Sequence, residues 1–312
     1  MNEQFASEPT ALRGHIALKM LLDKFGPYTG RYLAAYPSNW RSLVMALNEE
    51  LGPCEAARVS TLLRRAKEGM QIVGGSRMPY EESHSWLENA KHLLENRPKR
   101  LLTGVVIAQR DLPELYHDVY ELGEFQLPAT AEERMVASAS EFVRVSQTLL
   151  LTRPEIGFID PYLNPCNPDV QKVISAMIEK ASKGCCENIR IWARSSEVLR
   201  ENSVPEIRAA LEGIMPKNCV NGLRLEFNFI DDRRSADRMH ARYLLSLQGG
   251  IRFDQGFQQL RGDRKVDVQP LTSKNLLEDI WKTYFEGEND FSKYCDPIEI
   301  RRPAAALNTL QV

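Results

Sequence analysis

The 312-residue chain is 43% hydrophobic and 26% charged, ordinary for a soluble globular protein and long enough for two domains with a sizeable core. Its 40 basic and 42 acidic residues leave a formal net charge of -2, which argues against nucleic-acid binding spread over the whole surface but not against a local basic groove. No apolar run reaches the ~18 residues that span a bilayer, Met1-Asn2-Glu3-Gln4 does not open a signal peptide, and the six cysteines include no Cys-x-x-Cys pair; the expectation is a cytoplasmic protein with reduced thiols, no structural zinc and no membrane span.

Residues 1–125 read as a mainly helical domain. Ser38-Asn39 can cap a helix through Trp40, Leu43, Val44 and Leu47, which Gly52-Pro53 breaks. A second helix runs from Glu55 to Glu68 with Ala57, Val59, Leu62 and Leu63 as its apolar set. Gly74-Gly75 and Pro79 mark a loop, and Glu82 to Leu94 is helical again, with Trp86, Leu87 and Ala90 on one side. Leu101–Ala108 suits either a buried strand or a core helix. Arg64, Arg65 and Lys67, like Arg97, Lys99 and Arg100, read as helix surface or helix ends.

Gln126-Leu127-Pro128 marks a boundary, after which Thr130 and Glu133 form a capping box. The helix they open carries Met135, Val136, Phe142, Val143, Val145 and Leu149, and Pro154 ends it. Glu155–Asp160 reads as a strand. Asn167-Pro168 starts the next helix, with asparagine at the cap and proline in the first turn. Asn188–Ala193 is a strand, Ser203 and Glu206 cap a helix, and Leu223, Leu225, Phe227 and Phe229 alternate with polar residues as a further strand. Two short strands then meet at Gly249-Gly250, and Ser273 opens a last helix bearing Leu276, Leu277, Ile280, Trp281, Tyr284 and Phe285. Strands alternating with helices imply an α/β sheet over residues 130–287 with helices on its faces. Residues 288–312, with Pro297 and Pro303, read as a tail.

Chemistry concentrates at two places. Asp160-Pro161-Tyr162 follows a strand whose carboxyl end is where open α/β sheets gather ligands, although Asp-Pro is also a plain turn signal. His240-Ala241-Arg242-Tyr243 opens a strand on which His240 and Arg242 would project together, with Tyr243 and Leu245 on the other face. An imidazole beside a fixed cation suits a phosphate: the cation neutralises an oxygen and the imidazole attacks phosphorus or donates a proton. Asp254 would pair with Arg242 across the hairpin, or else be an exposed strand charge. Asp231-Asp232-Arg233-Arg234 reads as a solvated loop, although paired aspartates can also hold magnesium. Arg261, Arg264 and Lys265 form either a positive rim or a solubilising loop. The other histidines, His15, His84, His92 and His117, have no cation two positions later.

The succession Asp160-Pro161-Tyr162, then His240 and Arg242, then Gly250-Ile251 and Asp254 resembles the phospholipase D superfamily. It is closest to the divergent branch comprising the C-terminal domain of MIT-domain proteins and bacterial relatives. The chain departs from the superfamily's main pattern. Arg242 stands where lysine is usual, Leu247 where an aspartate is usual, and Phe257-Gln258 after Gly256 breaks the Gly-Ser-x-Asn element. The resemblance implies a phospholipase D-like mixed sheet flanked by helices over residues 130–287. It also implies a cofactor-free, metal-independent phosphodiesterase, nuclease-like and of a kind met in mobile-element or phage-defence systems. In that reading His240 is the nucleophile and Asp160 and Asp254 position the groups, while Arg242, Tyr162 and Arg252 contact phosphate. Such chemistry uses two histidines; a homodimer would bring two copies of His240 together. The alternative is a catalytically inactive module that binds an anionic ligand or a protein partner and serves in assembly.

Overall fold

The computed structural model describes residues 3–26, 29–69, 71–74, 78–95, 102–107, 116–118, 132–236, 238–247 and 249–304. The chain divides into units of residues 2–130 and 131–312. The expected boundary at Gln126-Leu127-Pro128 lies outside the described residues, as do Thr130, Arg97, Lys99 and Arg100.

The first unit combines its helices with a parallel sheet. Strands β1 (Glu3–Ser7), β2 (Arg31–Ala35), β3 (Ile72–Gly74), β4 (Gly104–Ile107) and β5 (Tyr116–Asp118) form a five-stranded sheet in the order β3-β2-β1-β4-β5, parallel throughout. Helices α1 (His15–Leu22), α2 (Trp40–Glu49) and α3 (Pro53–Glu68) bury Leu18, Val44, Val59 and Leu63 with Phe5, Leu33 and Val106. Helix α4 (Trp86–Glu95) covers the other face, burying Ala90, Leu93 and Leu94 with Ala6, Ala34 and Val105. Within Leu101–Ala108, Gly104–Ile107 is thus a strand. β1 and β2 escaped the sequence reading because Glu-Gln-Phe-Ala-Ser and Arg-Tyr-Leu-Ala-Ala contain no β-branched residue. A parallel strand covered on both faces also shows no alternation.

The second unit is a mixed α/β layer structure. In order β13-β9-β8-β7-β10-β11-β12-β6, its strands are β6 (Glu133–Val136), β7 (Glu155–Ile159), β8 (Asn188–Arg194), β9 (Leu223–Asp231), β10 (Arg242–Ser246), β11 (Gly249–Phe253), β12 (Lys265–Pro270) and β13 (Ser292–Lys293). β14 (Ile298–Arg302) also pairs with β9. β7, β8 and β9 are parallel; β10 to β12 and β6 continue antiparallel. Helices α5 (Ala139–Thr152), α6 (Pro168–Ser182) and α8 (Val204–Ile214) cover one face through Phe142, Leu149, Val173, Ile174, Ile207 and Leu211, near the short helix α7 (Ser195–Val198). Helix α9 (Lys274–Trp281) covers the other face, packing Leu277 and Ile280 on Ile159, Trp192, Ile230 and Leu245.

The cap signals place three of these helices. Asn167 accepts from the Asp169 N–H ahead of Pro168, Ser203 and Glu206 close a capping box, and Ser273 accepts from Leu276 N–H. Two expectations fail. Glu133 lies in β6, not in a first helical turn; Met135 is buried there opposite Val266, and the helix begins at Ala139 under Ser138. The supposed tail supplies β13 and β14, which bury Ile298 and Ile300 in the main core. Lys265, for which the sequence left a positive rim or a solubilising loop open, begins β12.

Candidate functional site

The carboxyl ends of β7, β8 and β9 lie side by side, and each ends in a charged residue. Asp160 follows β7, Arg194 ends β8, and Asp232 follows β9. This is the edge at which parallel strands expose side chains to a ligand. The backbone ties it together: Asp160 N–H bonds to Trp192 O and Arg194 N–H to Pro161 O, both at 3.1 Å.

Asp160 is 1% exposed. Its Oδ1 accepts from Tyr162 N–H at 2.9 Å and its Oδ2 from Phe257 N–H at 3.1 Å. Arg242 Nε stands 3.9 Å from Oδ1. Burial pushes the carboxyl above its usual range; the two N–H donors and the Arg242 charge oppose the shift without cancelling it. Asp160 therefore braces three chain segments and faces the guanidinium, and its own carboxylate is out of solvent.

Arg242 begins β10. Its Nη1 donates to Asp254 O at 3.0 Å, and its guanidinium lies over the Tyr162 ring, 5.4 Å from the centroid. Of the two readings open for Asp254, the ion pair with Arg242 does not form, and Arg242 bonds the Asp254 carbonyl instead. The Asp254 carboxylate is exposed and makes no bond with the described residues. Tyr162, half exposed, bridges the two arginines, because its hydroxyl interacts with Arg194.

His240 is not on the strand. It precedes Arg242 by two residues, outside β10, is exposed, and makes no hydrogen bond or ion pair with the described residues. The backbone of the residue before it is clamped. Met239 N–H donates to Asp232 Oδ2 at 2.8 Å, and Met239 O accepts from Arg194 Nη2 at 2.6 Å. Arg194 and Asp232 are themselves joined in a bidentate pair at 2.9 and 2.8 Å. Asp232 is buried. Burial alone would raise its carboxyl, but the Arg194 bonds and charge with the Met239 N–H hold it below the usual value.

Arg252 is not brought to this edge. It lies opposite Tyr243 in the β10–β11 register, and Tyr243 packs in the α9-side cluster. Arg252 therefore faces the other way from Arg242. Asp160, Tyr162 and Arg242 come together, Asp254 contributes its backbone, and His240 lies two residues before Arg242 without a hydrogen bond or ion pair to any of them. Sequence reading missed Arg194 and assigned Asp232 to a solvated loop. Their signal was position: each closes a parallel strand, as Asp160 does. Among the described residues no three His, Cys, Asp or Glu are grouped to hold a metal ion, and no helix is long and apolar enough to cross a membrane.

No family profile and no curated protein matches the chain. Among solved structures, TrmBL2, described as an archaeal chromatin protein with a novel mode of DNA binding, aligns at 11% identity over 80% of this chain and 81% of its own, with a TM-score of 0.28. A likeness that slight assigns neither fold nor function.

Proposed function

We propose that residues 131–304 form a phospholipase D-like module that engages a phosphodiester, with nucleic acid as the substrate class. In this reading it cleaves the ester without a metal. One observation carries it: Arg242 is oriented by Asp160, Tyr162 and the Asp254 carbonyl, and His240, two residues before it in the chain, is exposed, makes no hydrogen bond with the described residues and follows the backbone-clamped Met239. Arg242 clamps a phosphoryl oxygen and cannot give up a proton. His240 attacks phosphorus, displacing one ester oxygen to leave a phosphohistidine, which water then hydrolyses.

A second reading, a non-catalytic anion-binding module, is favoured by one fact. His240 is the only histidine in residues 131–312. An acid for the leaving oxygen must then come from a second copy of the chain or from solvent.

The deciding experiment is cleavage of single- and double-stranded DNA and RNA with EDTA present, run beside a binding assay. Cleavage by wild type and none by His240→Ala supports the phosphodiesterase. Binding lost in Arg242→Gln without cleavage by any form supports the binding module. Undiminished cleavage by His240→Ala would overturn the catalytic role.

A further inference from the structure

A cavity of about 220 Å³ opens on the α9 face of the sheet. Its walls are aromatic: Trp192 on β8, Tyr284 and Phe285 on the π-helical turn Lys282–Glu286, and Phe291 beyond it. The walls are held firmly. Phe285 stacks on Trp281 at 3.6 Å and 8°, and packs 4.6 Å from Trp192. It also lies where a Cβ on residue 157 would stand 2.3 Å from its Cζ; Gly157 is what lets that ring rest on β7. Tyr284 and Phe291, 5.7 Å apart, are half-buried and line the opening.

Glu226 and Asn228, two residues apart on β9 and so on one face, give the cavity its polar floor. Glu226 Oε1 accepts from Asn228 Nδ2 at 3.1 Å and Oε2 from Arg224 at 2.9 Å. The carboxylate keeps further acceptor capacity, and Asn228 Oδ1 makes no hydrogen bond with the described residues. The floor is thus rich in acceptors. It is not an anionic cage for an organic cation: Arg224 is shared between Glu226 and Glu299, Lys293 lines the cavity as well as Glu286, and Arg190 already occupies Phe285 at 5.0 Å.

The cavity adjoins the Arg194–Asp232–Met239 clamp. Trp192 and Ile230, both lining it, precede Arg194 and Asp232 by two residues on their strands, roughly 6–7 Å. Met239, clamped by that pair, packs in the same cluster as Trp192 and Ile230.

We infer that this cavity is a nucleobase site serving the His240 edge, and that it favours guanine. An aromatic slot of this size takes one stacked base. Guanine presents two neighbouring N–H donor groups to the Glu226 and Asn228 acceptors, whereas uracil presents one. The inference rests on the phosphodiester reading of the adjoining edge and specifies its substrate as an unpaired nucleotide, because a base within a duplex cannot enter.

The test is titration calorimetry on the full chain with guanosine 5′-monophosphate, uridine 5′-monophosphate, guanosine and ribose 5-phosphate. Guanosine 5′-monophosphate is expected to bind tightest, and Phe291→Ala to weaken it about tenfold while leaving ribose 5-phosphate unchanged. Phe291→Leu, which keeps apolar bulk, guards against misfolding and is expected to weaken it in the same direction. Equal binding of guanosine 5′-monophosphate and ribose 5-phosphate by wild type, or displacement of the nucleotide by tetramethylammonium, would overturn the base site. Arg242→Gln separates the two claims. If guanosine binds and Arg242→Gln leaves the affinity of a guanine-containing single-stranded oligonucleotide untouched, the base site stands and the phosphate reading of the edge falls.

Discussion

Gly256 lies so close to Asp160 that a Cβ added to it would stand 2.7 Å from Oδ2, the oxygen that accepts from Phe257 N–H. The short, buried aspartate side chain cannot swing away without losing that bond. Gly256→Ala is therefore expected to destabilise the protein by about 1–3 kcal/mol. Gly213, near the end of α8 with nothing within 4 Å of its virtual Cβ, is the control. Gly213→Ala is expected to stabilise by about 0.5–1 kcal/mol through helix propensity. Urea unfolding of the two variants reads both signs, and a neutral Gly256→Ala would mean the carboxylate is free to move.

The Arg194–Asp232 pair predicts both a magnitude and a pH dependence. The side chains are 14% and 3% exposed, so Asp232→Ala strands a poorly solvated guanidinium and is expected to cost about 3–5 kcal/mol. The folded carboxyl lies below its ordinary value of 3.8. Its contribution is then complete above that value and is lost as pH falls through the folded pKa. The stability gap between wild type and Asp232→Asn is expected to narrow below about pH 3.8. Asp160 works in the opposite sense. Its raised pKa gives a contribution that is full below 3.8 and is lost as pH rises through the raised value. Unfolding measured across this range for wild type, Asp232→Asn and Asp160→Asn separates the two; parallel curves would contradict both assignments.

Arg242 and Asp254 are expected to differ sharply. Arg242→Lys keeps the charge but loses the bond to the Asp254 carbonyl and the flat contact with Tyr162. Affinity for a phosphate-bearing ligand is expected to fall about tenfold, roughly 1.4 kcal/mol. Asp254→Asn leaves the carbonyl in place and is expected to change that affinity little. If calorimetry with an oligonucleotide shows Asp254→Asn as harmful as Arg242→Lys, the Asp254 carboxylate itself faces the ligand.

Sequence patterns served well where burial is one-sided. The alternation of Leu223, Leu225, Phe227 and Phe229 matches β9, and Asn167-Pro168 and Ser203–Glu206 mark α6 and α8. They served poorly where both faces of a strand are covered, as in β1 and β2. They also misled where a helical apolar set, Met135 and Val136, belongs to an edge strand held by its partner Val266. At the candidate site, the proximity of Asp160, Tyr162 and Arg242 was legible from residue type and order. The Arg194–Asp232–Met239 clamp was not, because a charged residue at a strand end looks solvated until its partner, 38 residues away, is placed beside it.

The C-terminal residues give the last prediction. Pro297, Pro303 and the charges around them read as a tail, yet Ile298–Arg302 pairs residue for residue with Leu223–Phe227 of β9. Ile298 and Ile300 are 1% and 6% exposed, and burying each stabilises the fold by about 1.5–3 kcal/mol. A chain ending at Gly287 loses both side chains and also β13. The remaining pairing edge of β9 is bared, which invites edge-to-edge association. That truncation is expected to unfold at markedly lower urea than the full chain and to aggregate. Unfolding curves and light scattering on the truncated and full chains check this; an unchanged midpoint for the shorter chain would mean that β14 adds nothing to the stability of the sheet.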